Sequence, residues 1–198
     1  MNYTTEYIEA LHSKYAPCKS VYDLIVTHSN IVYDIALQLV SLGDLHLDME
    51  TLRIGVMLHD IGVHPLFDKK GQQRKNINYI THGVVGEEIL IREGLPESIW
   101  RFASHHTGVG LSKDDIVNQK LPLPVADYMA ETAEELLVMY ADKFHSKTTP
   151  PYFNSFDWYK HDIAKFGSDK VITFQQMANK FGIPDLIPLA AKYGFAIR

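Results

Sequence analysis

Apolar positions recur along most of this chain at steps of three and four. Between Ser20 and Gly43 they fall at Val21, Leu24, Ile25, Ile31, Val32, Ile35 and Leu39, the stripe of an amphipathic helix that Gly43 ends. Asp48 is placed to cap a second helix, which carries Leu52, Val56 and His59 inward and stops at Gly62. Val63 to Tyr79 shows no clear period and holds Pro65, Gly71 and the run Gln72-Gln73-Arg74-Lys75, so it reads as a long loop. Thr81 is read as the cap of a helix through Glu93, and Pro96 opens another that leads to His105-His106. Ser112 with Asp115 has the spacing of a capping box. From Glu131 to His145 the pattern is helical and apolar on every side over Leu136 to Ala141, which predicts burial. After Pro150-Pro151 an aromatic stretch leads into a helix over Ser168 to Gly182. No alternation of strand length stands out. The pattern predicts an all-α fold, with a compact helical bundle over residues 1–150 and a helical extension over 151–198 packed on the same domain.

Composition narrows the class. The chain has 198 residues, a formal net charge of −5 and one cysteine. That length suits one domain with a small appendage. Cys18 has no partner for an internal disulfide, and the first residues lack a signal-peptide layout, so a reducing cytoplasm is expected. No run approaches the ~18 apolar residues of a membrane span, so no membrane partner is expected. The mild negative charge argues against long nucleic acid as a partner, which calls for a basic face.

Histidine changes the picture more, with ten in the chain. His28 lies on the apolar face of the first long helix, in line with Leu24, Ile31 and Ile35. His59-Asp60 ends a buried helix. His82 sits in a first turn and shares a face with Val85, Gly86 and Ile89. His106 continues the inward face of Ile99, Phe102 and Ala103, while His105 falls nearer the edge. Asp142 stands in the apolar helix, where a carboxylate must be paired or bind a metal; Lys143 is next to it, but adjacent helix positions do not face each other. Each signal has an ordinary structural explanation on its own. Jointly, seven imidazoles and carboxylates on apolar faces or helix ends can converge in an all-α core, as helical binuclear metal sites do. Such a donor mixture suits Mn, Fe, Co, Ni or Zn.

Over about residues 20–147 the ordered segments resemble the HD-domain superfamily of metal-dependent phosphohydrolases, in its His-Asp-Ile-Gly subgroup. These segments are Leu58-His59-Asp60-Ile61-Gly62, Thr81-His82-Gly83-Val84-Val85-Gly86, His105-His106-Thr107-Gly108-Val109-Gly110 and Ala141-Asp142-Lys143. The resemblance implies the HD helical bundle and one or two divalent metal ions. It places His28, His59, Asp60 and Asp142 at a first metal, with Asp60 as the catalytic residue that bridges two metals. His82, His105 and His106 match the ligands of the second metal. It implies hydrolysis of a phosphomonoester or phosphodiester of a nucleotide-like small molecule, with Lys143, His64, Arg74 and Lys75 as substrate contacts and His145 supporting the ligands. The chain departs from the subgroup where Val63 stands in place of a common Lys, and from its cyclic-dinucleotide branch at Gly108-Val109-Gly110 and Leu24. A di-iron oxygenase of the HD type and a non-catalytic metal-binding regulatory module are the alternative functions. A homodimer contact is one role open to the aromatic tail, and His12, His46 and His161 are expected at the surface.

Overall fold

The computed structural model describes residues 3–43 and 45–198. Ten α-helices carry it: α1 (Thr5–Tyr15), α2 (Lys19–Leu42), α3 (Met49–Leu58), α4 (His82–Arg92), α5 (Glu97–Ser104), α6 (Lys113–Asn118), α7 (Ala133–Asp142), α8 (Phe156–Ile163), α9 (Ser168–Phe181) and α10 (Ile187–Tyr193) are the helices among the described residues. The fold is all-α, as the pattern predicts. It also contains one small sheet, in which β1 (His145–Ser146) pairs antiparallel with β2 (Tyr152–Phe153), and β2 pairs parallel with β3 (Ala196–Ile197). Two-residue strands leave too short an alternation to be read from sequence.

The predicted caps explain several helix starts. Asp48 accepts from the amides of Glu50 and Thr51, and Ser112 and Asp115 form the reciprocal capping box. Thr81 does not act as a side-chain cap: its hydroxyl donates to the Asn78 carbonyl instead. The segment read as a loop after Gly62 begins as a 3-10 helix, Ile61–Leu66, and a second 3-10 turn, Tyr79–Thr81, leads into α4. The last long helix of the bundle is shorter than its apolar pattern, because the chain leaves α7 at Asp142.

Of three hydrophobic clusters among the described residues, two hold most of the core. In the larger, Ile31, Ile35 and Leu39 of α2 pack with Leu52 and Val56 of α3, Leu137 to Ala141 of α7, and Phe174, Met177 and Phe181 of α9. Residues of the extension are therefore part of the main core. In the smaller, Ile8 and Leu11 of α1 pack on Ile54, Leu58, Ile89 and Ile99. By length and composition α2 does reach the threshold of a membrane-crossing helix, contrary to the expectation above. Here its stripe packs on α3 and α7, with His28 fully buried within it.

Gly62 sets one close approach. A Cβ there would overlap the backbone of His82 and Gly86, so only glycine lets the 3-10 turn lie directly on α4. That approach brings His59-Asp60 to His82.

Candidate metal centre

The donor residues come from α2, the end of α3, the start of α4, the end of α5 and the end of α7. Consecutive residues of an α-helix point about 100° apart, which would separate His59 from Asp60. The chain resolves this by leaving the α-helix: Asp60 has φ −106° and ψ 15° as the 3-10 turn begins. Similar exits place His106 and Asp142, just beyond α5 and at the last residue of α7.

Two donor sets result. One atom each from His28, His59, Asp60 and Asp142 lies within 4.8 Å of the others, and the same holds for Asp60, His82 and His106. In the first set, His28 Nε2 is 3.1 Å from Asp60 Oδ2 and 2.9 Å from Asp142 Oδ1. His59 Nε2 is 3.4 Å from Asp60 Oδ2. In the second, His82 Nε2 and His106 Nε2 stand 3.7 Å and 3.6 Å from Asp60 Oδ1. Each oxygen of one carboxylate thus faces its own set.

The far side of each ring fixes its tautomer. Nδ1–H of His59 donates to the Val56 carbonyl at 2.6 Å, that of His82 to Tyr79 at 2.8 Å, and that of His106 to Phe102 at 3.0 Å. A carbonyl only accepts, so Nδ1 keeps its proton and Nε2 is the nitrogen that presents a lone pair to the centre whenever the ring is neutral. His28 Nδ1 meets His145 Nδ1 at 2.8 Å, which puts His145 directly behind His28.

Electrostatics differ between the sets. Burial alone would raise Asp60, but the charges of Lys147 and His59 hold it well below the ordinary carboxylate value. Asp142 is likewise lowered against burial, by Lys143 first. Burial works to depress His59, yet the charge of Asp60 and bonds to Asp142 raise it to about 9. The first set therefore favours positive charge. In the second, burial and the neighbouring His106 push His82 down to about 3, and burial lowers His106, so these rings stay neutral. Asp60 Oδ1 is fully buried and accepts no hydrogen bond among the described residues, whereas the equally buried Oδ2 is ion-paired with Lys147 Nζ. A buried carboxylate shared between two sets of convergent imidazoles, with neutral rings in the second set, fits divalent metal ions.

Several expected residues lie elsewhere. His105 does not join the second set: the helix ends at Ser104, and the ring turns to Ser104 Oγ at 2.6 Å and packs on Tyr128. His64 is fully buried, meets His12 Nδ1 at 2.8 Å and belongs to neither donor set. His12 is buried too, correcting its surface placement, whereas His46 and His161 are exposed. Lys143 Nζ bonds Asp142 Oδ2 at 2.6 Å and the His106 carbonyl at 3.0 Å. The neighbour rule of helices does not hold for this pair because α7 ends at Asp142. Arg74 and Lys75 are exposed, with Arg74 Nε donating to the Phe67 carbonyl. One residue at the centre carried no sequence signal: Lys147, whose Nζ is 2.5 Å from Asp60 Oδ2.

A cavity of about 420 Å³ opens beside Asp142. Lys143, His145 and Lys147 line its inner side, and Phe67, Gln73, Tyr79, Asn154 and Tyr159 form much of the rest. Its size is that of a small-molecule site.

A buried, carboxylate-bridged pair of His/Asp sets in an all-α bundle defines a class of helical metal centres. The chain belongs to the HD domain family, whose model matches residues 25–147. It is similar to the tRNA (cytidine(56)-2'-O)-methyltransferase of Picrophilus torridus, with 36% identity over 124 residues, 63% of this chain and 32% of that protein. An uncharacterized protein of Methanocaldococcus jannaschii is 37% identical over 114 residues, 58% of this chain and 59% of that protein. The chain thus spans about a third of the first relative and under two thirds of the second. The HD domain of the Listeria monocytogenes phosphodiesterase PgpH shares the fold at a TM-score of 0.52 and 15% identity, over 94% of this chain and 98% of that one. Family and donor set together support metal-dependent phosphoester hydrolysis in general.

Proposed function

We propose that this chain hydrolyses a phosphomonoester or phosphodiester of a small, nucleotide-like molecule, using one or two divalent ions of the Mn, Fe, Co, Ni or Zn group. The observation that carries this is Asp60: a fully buried carboxylate whose two oxygens are each aimed at a separate set of imidazoles. His28, His59, Asp60 and Asp142 would hold one ion, and Asp60, His82 and His106 the other. A bound ion of this kind polarises a phosphoryl oxygen and supplies a nucleophile at neutral pH.

The protein's own groups do the rest. Asp60 stays ionised and serves both sets. Val56, Tyr79 and Phe102 carbonyls hold the rings so that no lone pair turns away. Lys143 and Lys147 give the cavity two ammonium groups beside the centre, suited to a phosphate. Phe67, Tyr79 and Tyr159 give it an aromatic wall, suited to a base. A reducing cytoplasm remains the compartment we infer from the single Cys18.

The test is turnover of a panel of nucleoside phosphates and an aryl phosphodiester with added Mn²⁺, comparing the chain with His59→Ala and Asp60→Ala. Turnover in the unsubstituted chain and background in both variants is expected. Equal rates in all three would overturn the reading.

One observation favours a second reading. The Picrophilus torridus relative is named for tRNA methylation, so the HD unit would act on or beside tRNA. Metal-dependent release of phosphate from tRNA ends, without turnover of small phosphoesters, would support it over the first.

A further inference from the structure

Lys147 reaches the first donor set from the end of β1. Its Nζ lies 2.5 Å from Asp60 Oδ2 and 3.1 Å from His28 Nε2, two of that set's four donor atoms. An imidazole nitrogen offers a single lone pair. The pair on His28 that a metal ion would take is therefore the one that faces the ammonium. A dication and an ammonium on the same carboxylate oxygen would also repel. The two cations compete for one place.

The lysine has somewhere else to go. Its side chain is 15% exposed and borders the cavity. Its four-carbon stem is flexible, and a two-residue strand is a light anchor. His145, two residues earlier, stays behind His28 whichever way Lys147 turns.

We propose that Lys147 is an internal cation of the first donor set, displaced into the cavity when a divalent ion binds. This rests on the metal-centre reading above. Before the ion arrives, the ammonium offsets the paired carboxylates and keeps the four side chains converged. It also sets the apparent affinity. If it occupies the donors in about nine molecules of ten, metal binding is about tenfold weaker than the donors alone would give.

The experiment has two arms on the full chain. Mn²⁺ is titrated calorimetrically into the unsubstituted protein and into Lys147→Met and Lys147→Gln. In parallel, acetylation of Lys147 by acetic anhydride is followed by peptide mass spectrometry in the unsubstituted protein, with and without saturating Mn²⁺. Folded variants should bind Mn²⁺ about tenfold tighter, and Lys147 should label slowly alone and rapidly with Mn²⁺. Equal or weaker binding by folded variants, or labelling that Mn²⁺ leaves unchanged, overturns the displacement while the metal centre stands. The labelling arm is independent of whether the variants fold. An unsubstituted chain that binds neither Mn²⁺ nor Zn²⁺ overturns the metal-centre reading and this proposal together.

Discussion

The buried histidine pair His12 and His64 lies beside His59 of the metal centre, and the two behave in opposite ways. His12 and His64 form a pair, with His64 Nδ1 left without a partner among the described residues. His12 Nε2–H donates to the Met57 carbonyl at 2.8 Å, so its Nδ1 accepts from His64 Nε2–H, also at 2.8 Å. Both rings are neutral: burial lowers His12, and burial with the nearby His12 pushes His64 down to about 3. Two residues after Met57, His59 is equally buried but is raised to about 9. The difference is the carboxylates. Burial penalises charge everywhere, and at His59 the two carboxylates Asp60 and Asp142 together outweigh it. Buried histidine by itself points to packing; buried histidine converging with buried carboxylates points to a cation.

The sharpest way to break this contrast is to remove the charge that the two donor sets share. Asp60→Asn should abolish metal uptake and reduce turnover to background, while the helical signal in circular dichroism stays. Metal content by elemental analysis checks it, and a metal-loaded variant would refute the bridging role. Gly62 comes next, because the turn it belongs to carries both Asp60 and His64. Gly62→Ala should cost about 3 kcal/mol through overpacking against α4, read from the urea midpoint. Unchanged stability would mean the turn does not lie on α4.

Acid titration probes the neutral pair. His64 has a folded value near 3 against an ordinary 6.5, so the unfolded chain binds more protons between those values. Its contribution to stability is present above about pH 6.5 and is lost as the pH falls toward 3. His64→Phe should flatten that part of the stability profile; an unaltered slope would show that His64 is not the group charging. The smallest effect belongs to His105. His105→Ala should leave metal content unchanged and cost about 1 kcal/mol at most, the loss of its contacts with Ser104 and Tyr128.

How far the sequence led depends on periodicity. α2, α3 and α7 follow apolar stripes, and the same stripes separate inward His106 from His105. His28, His59, Asp60, His82 and Asp142 could be placed because each sits on a helix face or beside a helix end, where direction is calculable. His12 was legible by the same rule, since it lies four residues after Ile8 on the buried face of α1. Lys147 was not: it follows a two-residue strand and belongs to no repeating pattern. The place of Lys143 depended on where α7 stops, which the apolar run overstates by three residues, from Asp142 to His145.

The small sheet has a consequence for synthesis. β1, with Lys147 just beyond it, is tied to β2, and β2 to Ala196–Ile197, some fifty residues later along the chain. A nascent chain leaving the ribosome can assemble α2, α3, α4, α5 and α7 in order. The sheet beside the metal ligands cannot close until its last strand has emerged. A stall or truncation after α9 and before residue 196 would keep the core helices and the β1–β2 pair but leave β2 without its second neighbour.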